Sequence, residues 1–370
     1  MSDAIEPHLD IGVLSHPGEK RDINEDSYGI SAYKVGRNQT PVVLAVVADG
    51  IGGHQAGEVA SQLTIDTIMN NLTKEDAREP LQQLQAVVKS AGNIVAETAL
   101  GSTELYGMGS TVAIAWVIKN KLYTAHVGDS RIYLLRNNNL IQVSTDHTWV
   151  QEAVKHEIIR PEEARNHPRA HVLHQALGSQ DPPEPDFRLR LAAHETDAQS
   201  ENNQGLKLSR GDKILLCSDG LTDLVEDHEI QSSLIEQGPE DAVQSLVSLA
   251  RARGGHDNIT VIILGVPQDW PKEKPASPWS KNTIRFLIIA FLAAIILTAI
   301  AFITWFVVLP WFKSDESTST PSTEIGTSVP GSLQQSDPSP FPNSQEITPP
   351  TITLTPLPTD TVIPLPTVEN

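Results

Sequence analysis

Aspartates stand where apolar runs stop. Val42-Val-Leu-Ala-Val-Val-Ala48 leads into Asp49-Gly50, Lys213-Ile-Leu-Leu-Cys-Ser218 into Asp219-Gly220, and Leu122-Tyr-Thr-Ala-His-Val-Gly128 into Asp129. Asp257 sits just before the run Ile259–Leu264. Taken singly, Asp-Gly is an ordinary turn, because both residues suit turn backbone. Repetition at the mouths of several apolar runs points further. Strand ends are rigid, so their side chains can converge on one spot. Carboxylates brought together repel unless a cation neutralises them. Hard oxygen ligands without His or Cys clusters favour Mg2+ or Mn2+ over zinc.

Two further stretches carry chemistry. In Asp49-Gly-Ile-Gly-Gly-His-Gln-Ala-Gly57 the glycines let the backbone approach a ligand, and Gly50 can offer its carbonyl to a metal. This stretch opens a helix, whose N-terminus favours anions such as phosphate. His54 reads as an ordinary loop histidine by itself, and as a proton donor beside an acidic metal site. In Arg21-Asp-Ile-Asn-Glu-Asp26 the guanidinium can bind phosphate bidentately, although Arg followed by acids is by itself a common solvated loop.

The elements that must position these residues are short. Leu9–Leu14, Val42–Ala48, Thr111–Val117, Lys121–His126, Arg131–Leu135, Lys213–Cys217 and Thr260–Gly265 read as strands, being rich in apolar or β-branched residues. Helical stripes run over Ala56–Leu72 and Leu81–Leu100, with further helices at Trp149–Val154 and Asp241–Ala252. Paired strands with long helices between the groups predict an α+β layered domain over residues 1–266. The formal net charge of -19, with no basic stripe, excludes nucleic acid as a partner. Cys217 is the only cysteine, so no intramolecular disulfide can form, and its apolar run makes it a buried strand residue.

Residues 286–309 are apolar and carry no charge. At ~1.5 Å per residue they reach roughly 36 Å, enough for a single transmembrane helix. Lys272, Lys274, Lys281 and Arg285 precede this segment, whereas only Lys313 follows closely. The positive-inside rule then puts the N-terminal domain in the cytoplasm and the C-terminus outside a cell membrane. Residues 267–285 read as a juxtamembrane linker. Residues 310–370 are rich in Pro, Ser and Thr and are expected to be a disordered, extracytoplasmic tail.

The stretches Arg21–Asp26 and Asp49–Gly57 are followed by a consistent series. It runs Gly109-Ser-Thr-Val112, Val127-Gly-Asp-Ser-Arg131, Asp146-His-Thr148, Ala176-Leu-Gly178, Ser218-Asp-Gly-Leu-Thr-Asp223 and Asp257-Asn-Ile-Thr260. In this order, over roughly residues 9–266, the set resembles the protein phosphatase 2C family, bacterial members in particular. The resemblance implies a sandwich of two antiparallel β-sheets between α-helices, with Mn2+ or Mg2+ in a cleft at one edge. It implies that Asp49 bridges two ions and that Gly50 gives its carbonyl to one. Asp219 and Asp257 would bind the other. Asp26 and Glu25 would hold metal-bound waters, and Asp129 with Asp219 matches a third-ion position. Arg21 would clamp the substrate phosphate and His54 would be the general acid.

The activity so implied is hydrolysis of phosphoserine and phosphothreonine on phosphoprotein substrates, opposing a Ser/Thr kinase. The alternatives are a non-catalytic transmembrane sensor of phosphoproteins and a small-molecule phosphatase. The resemblance also makes residues 147–175 a mobile flap, in which Glu157 replaces a glycine common in the family. His156, His167, His171 and His174 in this flap read as solvated or packed residues, since no ligand spacing recurs. Residues 194–205 read as a polar surface insertion.

Overall fold

The computed structural model describes residues 6–52, 55–179, 183–270 and 281–308. The chain divides into two compact units, Met1–Pro275 and Ala276–Asn370.

In the first unit the strands are β1 (Asp10–His16), β2 (Ser27–Val35), β3 (Thr40–Ala48), β4 (Gly50–Ile51), β5 (Gly109–Ser110), β6 (Val112–Ile118), β7 (Lys121–Val127), β8 (Arg131–Arg136), β9 (Asn139–Gln142), β10 (Leu206–Lys207), β11 (Lys213–Cys217) and β12 (Ile259–Gly265). The helices are α1 (Gln55–Leu72), α2 (Pro80–Gly101), α3 (Trp149–Lys155), α4 (Pro161–Ala164), α5 (Asp197–Asn202), α6 (Asp219–Thr222), α7 (Asp227–Glu236) and α8 (Pro239–Ala252). One sheet has the order β1-β12-β11-β8-β9, the other β10-β7-β6-β3-β2, and every pairing is antiparallel. The expected pair of antiparallel sheets with flanking helices is present.

Strand periodicity explains the layering. Val43, Ala45 and Val47 of β3 point between the sheets, where they meet Ile214 and Leu216 of β11 and Ile262 and Leu264 of β12. The alternate residues Val42, Leu44 and Val46 face Ile65, Ile68 and Leu72 of α1 and Leu84 and Val88 of α2. On the other sheet, Leu215 and Ile263 face outward onto Ile230 of α7 and Leu246 of α8. Burial on both faces is why β3, β11 and β12 are continuous apolar runs and not alternating ones. Cys217 lies in this outer layer, and burial pushes its thiol up.

Several elements differ from the sequence reading. Strand β2 was not expected, because Ser27-Tyr-Gly-Ile-Ser-Ala-Tyr mixes polar and apolar residues without clean alternation. A Cβ on its Gly29 would come within 2.7 Å of the Met69 side chain, so α1 packs closely against it. Helix α7 was also missed; its signal was a capping box between Glu226 and Glu229. Residues 194–205 fold as more than a surface insertion. They form α5, and Gln204 Nε2 donates to the carbonyls of Thr124 (2.8 Å) and Phe187 (2.8 Å).

In the second unit, α9 (Lys281–Ile303) continues into a π-helical turn, Thr304–Val308. Among the described residues, Arg285–Phe306 is the one helix long and apolar enough to cross a membrane. Its length of roughly 33 Å exceeds a hydrocarbon core of about 30 Å. The far end of the expected span at Leu309, the linker residues Lys272 and Lys274, and the tail 310–370 lie outside the described residues.

Candidate active site

Antiparallel pairing brings the aspartate-bearing strand ends to one end of the sandwich. β3 and β11 finish there, β7 passes through Gly128 into Asp129, and β12 starts there after Asp257. A cleft of about 290 Å3 opens between them, and Arg21, Glu25, Asp49, Gly50, Asp129, Asp219 and Asp257 all line it. Asp26 is buried beside the cleft, where its Oδ2 accepts a 2.7 Å hydrogen bond from Ser218 Oγ.

The loops around the cleft are pinned by backbone contacts. Asp49 N–H donates to Thr111 Oγ1 (2.9 Å), and Thr111 N–H donates back to Asp49 O (2.8 Å). Thr111 Oγ1 also bonds Ser130 Oγ at 2.7 Å, which ties the Asp49 turn to the neighbour of Asp129. Gly50 has no room for a side chain: a Cβ there would lie 2.1 Å from Gly57 O in the first turn of α1. Asn258 had no role in the sequence reading beyond its motif. Its Oδ1 accepts from Glu25 N–H (2.7 Å), and its Nδ2 donates to Pro17 O (2.9 Å) and Ile23 O (3.0 Å). It therefore fixes the Arg21–Asp26 loop against the start of β12.

The electrostatics are those of crowded acids. Burial pushes Asp26 up to about 7, against the pull of its Ser218 hydrogen bond. Burial, with the charge of Asp219 second, pushes Asp129 up to about 8. Asp49 is raised well above the usual carboxylate range by burial and then by Asp26 and Asp219. Asp26 Oδ1 and Asp219 Oδ1 are buried with no hydrogen-bond partner among the described residues. Buried carboxylate oxygens in this state are costly unless a cation meets them. An oxygen-rich donor set suits Mg2+ or Mn2+, so the residues present fit such ions.

Arg21 reaches the same cleft. Its Nη2 donates to Asp257 Oδ2 at 2.7 Å, and the charge of Asp257 raises its pKa. His54 lies outside the described residues.

The flap corrects one expectation. His156 faces Glu152, and His167 stacks on Trp149, as packed surface residues do. His174 N–H donates to His147 O at 2.7 Å. His171, by contrast, reaches into the cleft: its Nδ1 stands 3.8 Å from Asp219 Oδ2 and 3.5 Å from Asp223 Oδ2. The nearby Asp219 carboxylate raises His171 to about 9, while burial and then Asp219 raise Asp223 to about 6. Spacing could not reveal His171, because the bridge between Thr148 and Leu173 delivers it from another part of the chain. Glu157, in place of the family's glycine, adopts φ of 56°, a left-handed conformation that glycine accepts more readily.

A second cluster, His126, His147 and Asp186, also brings potential ligand atoms together. Arg188 already engages the Asp186 carboxylate through Nε and Nη2, and burial lowers His126 to about 4. This cluster serves the fold.

Residues 19–244 match the sequence pattern described as Protein phosphatase 2C. The chain belongs to that family. Among protein phosphatase 2C relatives, PstP of Mycobacterium tuberculosis, a serine/threonine protein phosphatase, is 37% identical over 223 residues. That match covers 60% of this chain and 40% of PstP, so the chain spans less than half the length of that relative. The protein phosphatase PhpP of Streptococcus pneumoniae is 31% identical over 271 residues, covering 70% of this chain and 99% of PhpP. A crystal structure of the PstP catalytic domain in complex with two manganese ions superimposes with a TM-score of 0.58 at 34% identity. It covers 70% of this chain and 97% of that one.

Proposed function

We propose that this chain is a metal-dependent protein serine/threonine phosphatase held at a membrane by its C-terminal apolar helix. The observation that carries the reading is the cluster of Asp26, Asp49 and Asp129. Asp26 and Asp129 are buried and Asp49 is half-buried, all three carry raised pKa values, and Asp49 and Asp129 line one cleft with the exposed Arg21. Family membership and the manganese-bound PstP domain support the same reading.

Asp49, the Gly50 carbonyl, Asp219 and Asp257 would hold two divalent ions, Mn2+ or Mg2+. Glu25 and Asp26 would order the surrounding water, and Asp129 with Asp219 would offer a third position. When bound, such ions supply the Lewis acidity that makes water a nucleophile near neutral pH and offsets phosphoryl charge. Arg21 turns from Asp257 toward the substrate phosphate and binds its oxygens bidentately. Ser218 orients Asp26 through their 2.7 Å hydrogen bond. A serine or threonine alkoxide leaves poorly, and His54 is the candidate to give it a proton. Natural substrates would be phosphoproteins made by a Ser/Thr kinase.

Phosphate release from phosphothreonine and phosphotyrosine peptides by the full chain in detergent micelles tests the activity. Hydrolysis of phosphothreonine with Mn2+ or Mg2+, and none with chelator, is expected; chelator-resistant turnover would sink the metal mechanism. Lys281 and Arg285 at the head of the helix favour a cytoplasmic catalytic domain. Protease added outside intact cells should then spare residues 1–266 and trim the tail; the reverse pattern overturns this topology.

A further inference from the structure

Beside the carboxylate cleft lies a cavity of opposite character. It has a volume of about 420 Å3, within the range of roughly 300–1,000 Å3 common for ligand sites. Ile51, Ala99, Leu100, Tyr106, Met108 and Leu177 form its apolar wall. None of its described lining residues is Asp, Glu, Lys or Arg. Tyr106 is 75% exposed and Leu100 is 61% exposed, so the wall opens to solvent.

The groove is continuous with the cleft. Ile51 and Leu173 line both. The joining element is the small ribbon of β4 and β5, where Gly50 pairs with Ser110 and Ile51 with Gly109, and Ser110 bridges onward to Leu177. One step along β4, about 3.3 Å, leads from Gly50 at the cleft to Ile51 at the groove. The groove is thus within reach of residues neighbouring a phosphorylated residue held in the cleft.

We propose that the groove is a substrate subsite. It takes an uncharged apolar side chain within about three residues of the phosphorylated serine or threonine, carried on an extended segment. This inference rests on the phosphatase reading. The lining supports it chemically. An apolar side chain gains by leaving water for Leu100 and Tyr106, whereas a charged one finds only the His174 imidazole as a titratable group among the described lining residues. The cleft then recognises the phosphate, and the groove recognises its sequence context.

The test uses the full chain in detergent micelles with Mn2+. Phosphothreonine peptides carrying Leu, Phe, Ser or Asp at each flanking position would be compared, with para-nitrophenyl phosphate as a substrate lacking flanks. Peptides with Leu or Phe at one flanking position should exceed their Asp counterparts by about 10-fold in kcat/KM. Tyr106→Ala and Leu100→Ser change exposed side chains, so the fold should tolerate them. Each should raise KM for the favoured peptides and erase most of the preference, with para-nitrophenyl phosphate turnover unchanged. Equal kcat/KM for all peptides, with para-nitrophenyl phosphate still hydrolysed, overturns the subsite alone. Loss of all hydrolysis in the unaltered chain overturns the phosphatase reading and the subsite with it. If Tyr106→Ala instead changes the oligomeric state by light scattering and leaves peptide preference intact, the groove joins two copies of the chain and the subsite is wrong.

Discussion

Buried carboxylates occur in two kinds of place in the phosphatase domain, and they are treated differently. Asp212, at the end of the sandwich away from the cleft, meets Arg136 in a fork: Nε donates to Oδ1 at 3.1 Å and Nη2 to Oδ2 at 2.5 Å. Asp146 takes Arg131 through Nε (3.0 Å) and Nη2 (2.7 Å). Burial works against ionised Asp186, yet hydrogen bonds from His147 and Arg188 hold it well below the usual carboxylate range. Asp26, Asp49 and Asp129 show the opposite behaviour, since burial, joined by the neighbouring charge of Asp219, pushes all of them up. The first group has its cations built into the chain. The second has its anions assembled and, on the metal-dependent reading, draws its cation from solution.

The largest expected effect is at the cleft. Asp219→Ala should lower Mn2+-dependent hydrolysis of a phosphothreonine peptide by more than about 100-fold, since even indirect partners of metal ligands are worth about 10–100-fold. A steady-state assay across Mn2+ concentrations checks it. Activity within a few-fold of the unaltered chain would mean that the unpaired carboxylates are not ligands.

Next comes the paired group. Arg136→Met strips the guanidinium from Asp212, whose side chain is 2% exposed, and leaves the buried charge resting on the Ser209 N–H hydrogen bond (2.7 Å). A loss of about 3 kcal/mol in urea unfolding is expected, with kcat unchanged. A loss below about 1 kcal/mol would make this pair no better than a surface one, and the contrast with the cleft would weaken.

The smallest effect is a pH dependence. An acid whose pKa rises on folding holds its proton more tightly in the folded state. Stability is then lost as pH climbs above the unfolded value of 3.8, until the folded values of about 7 for Asp26 and about 8 for Asp129 are passed. In chelator, the thermal midpoint should therefore fall between pH 4 and pH 8 by at least about 3 °C. Mn2+ at neutral pH should reverse the fall, and Asp26→Asn should flatten it. A midpoint that rises over this range in chelator would show that the carboxylates already have partners.

Much of this contrast was legible in the sequence. The strand ends at Asp49, Asp219 and Asp129 could be read because apolar runs that stop abruptly mark both a strand and its rigid end. The pairing partners could not. Arg136 and Asp212 lie far apart in the chain, and only the register of β8 against β11 brings them together. His171 and Asn258 were missed for the same reason, since each acts on a residue distant in sequence. β9 escaped notice because Asn139-Leu-Ile-Gln142 is too short and too polar to stand out from its turn.

Strand β12 touches both the chemistry and the way out of the domain. It begins beside Asp257 and runs to Gly265, after which Val266–Trp270 lead toward the segment bearing the apolar helix. At about 3.4 Å per residue, this strand stands the reacting end some 24 Å from the point of departure. On the membrane-anchored reading, the enzyme is confined to a surface and not to a volume. Phosphoproteins anchored in the same surface meet it at a raised local concentration, whereas a soluble peptide gains nothing from the confinement.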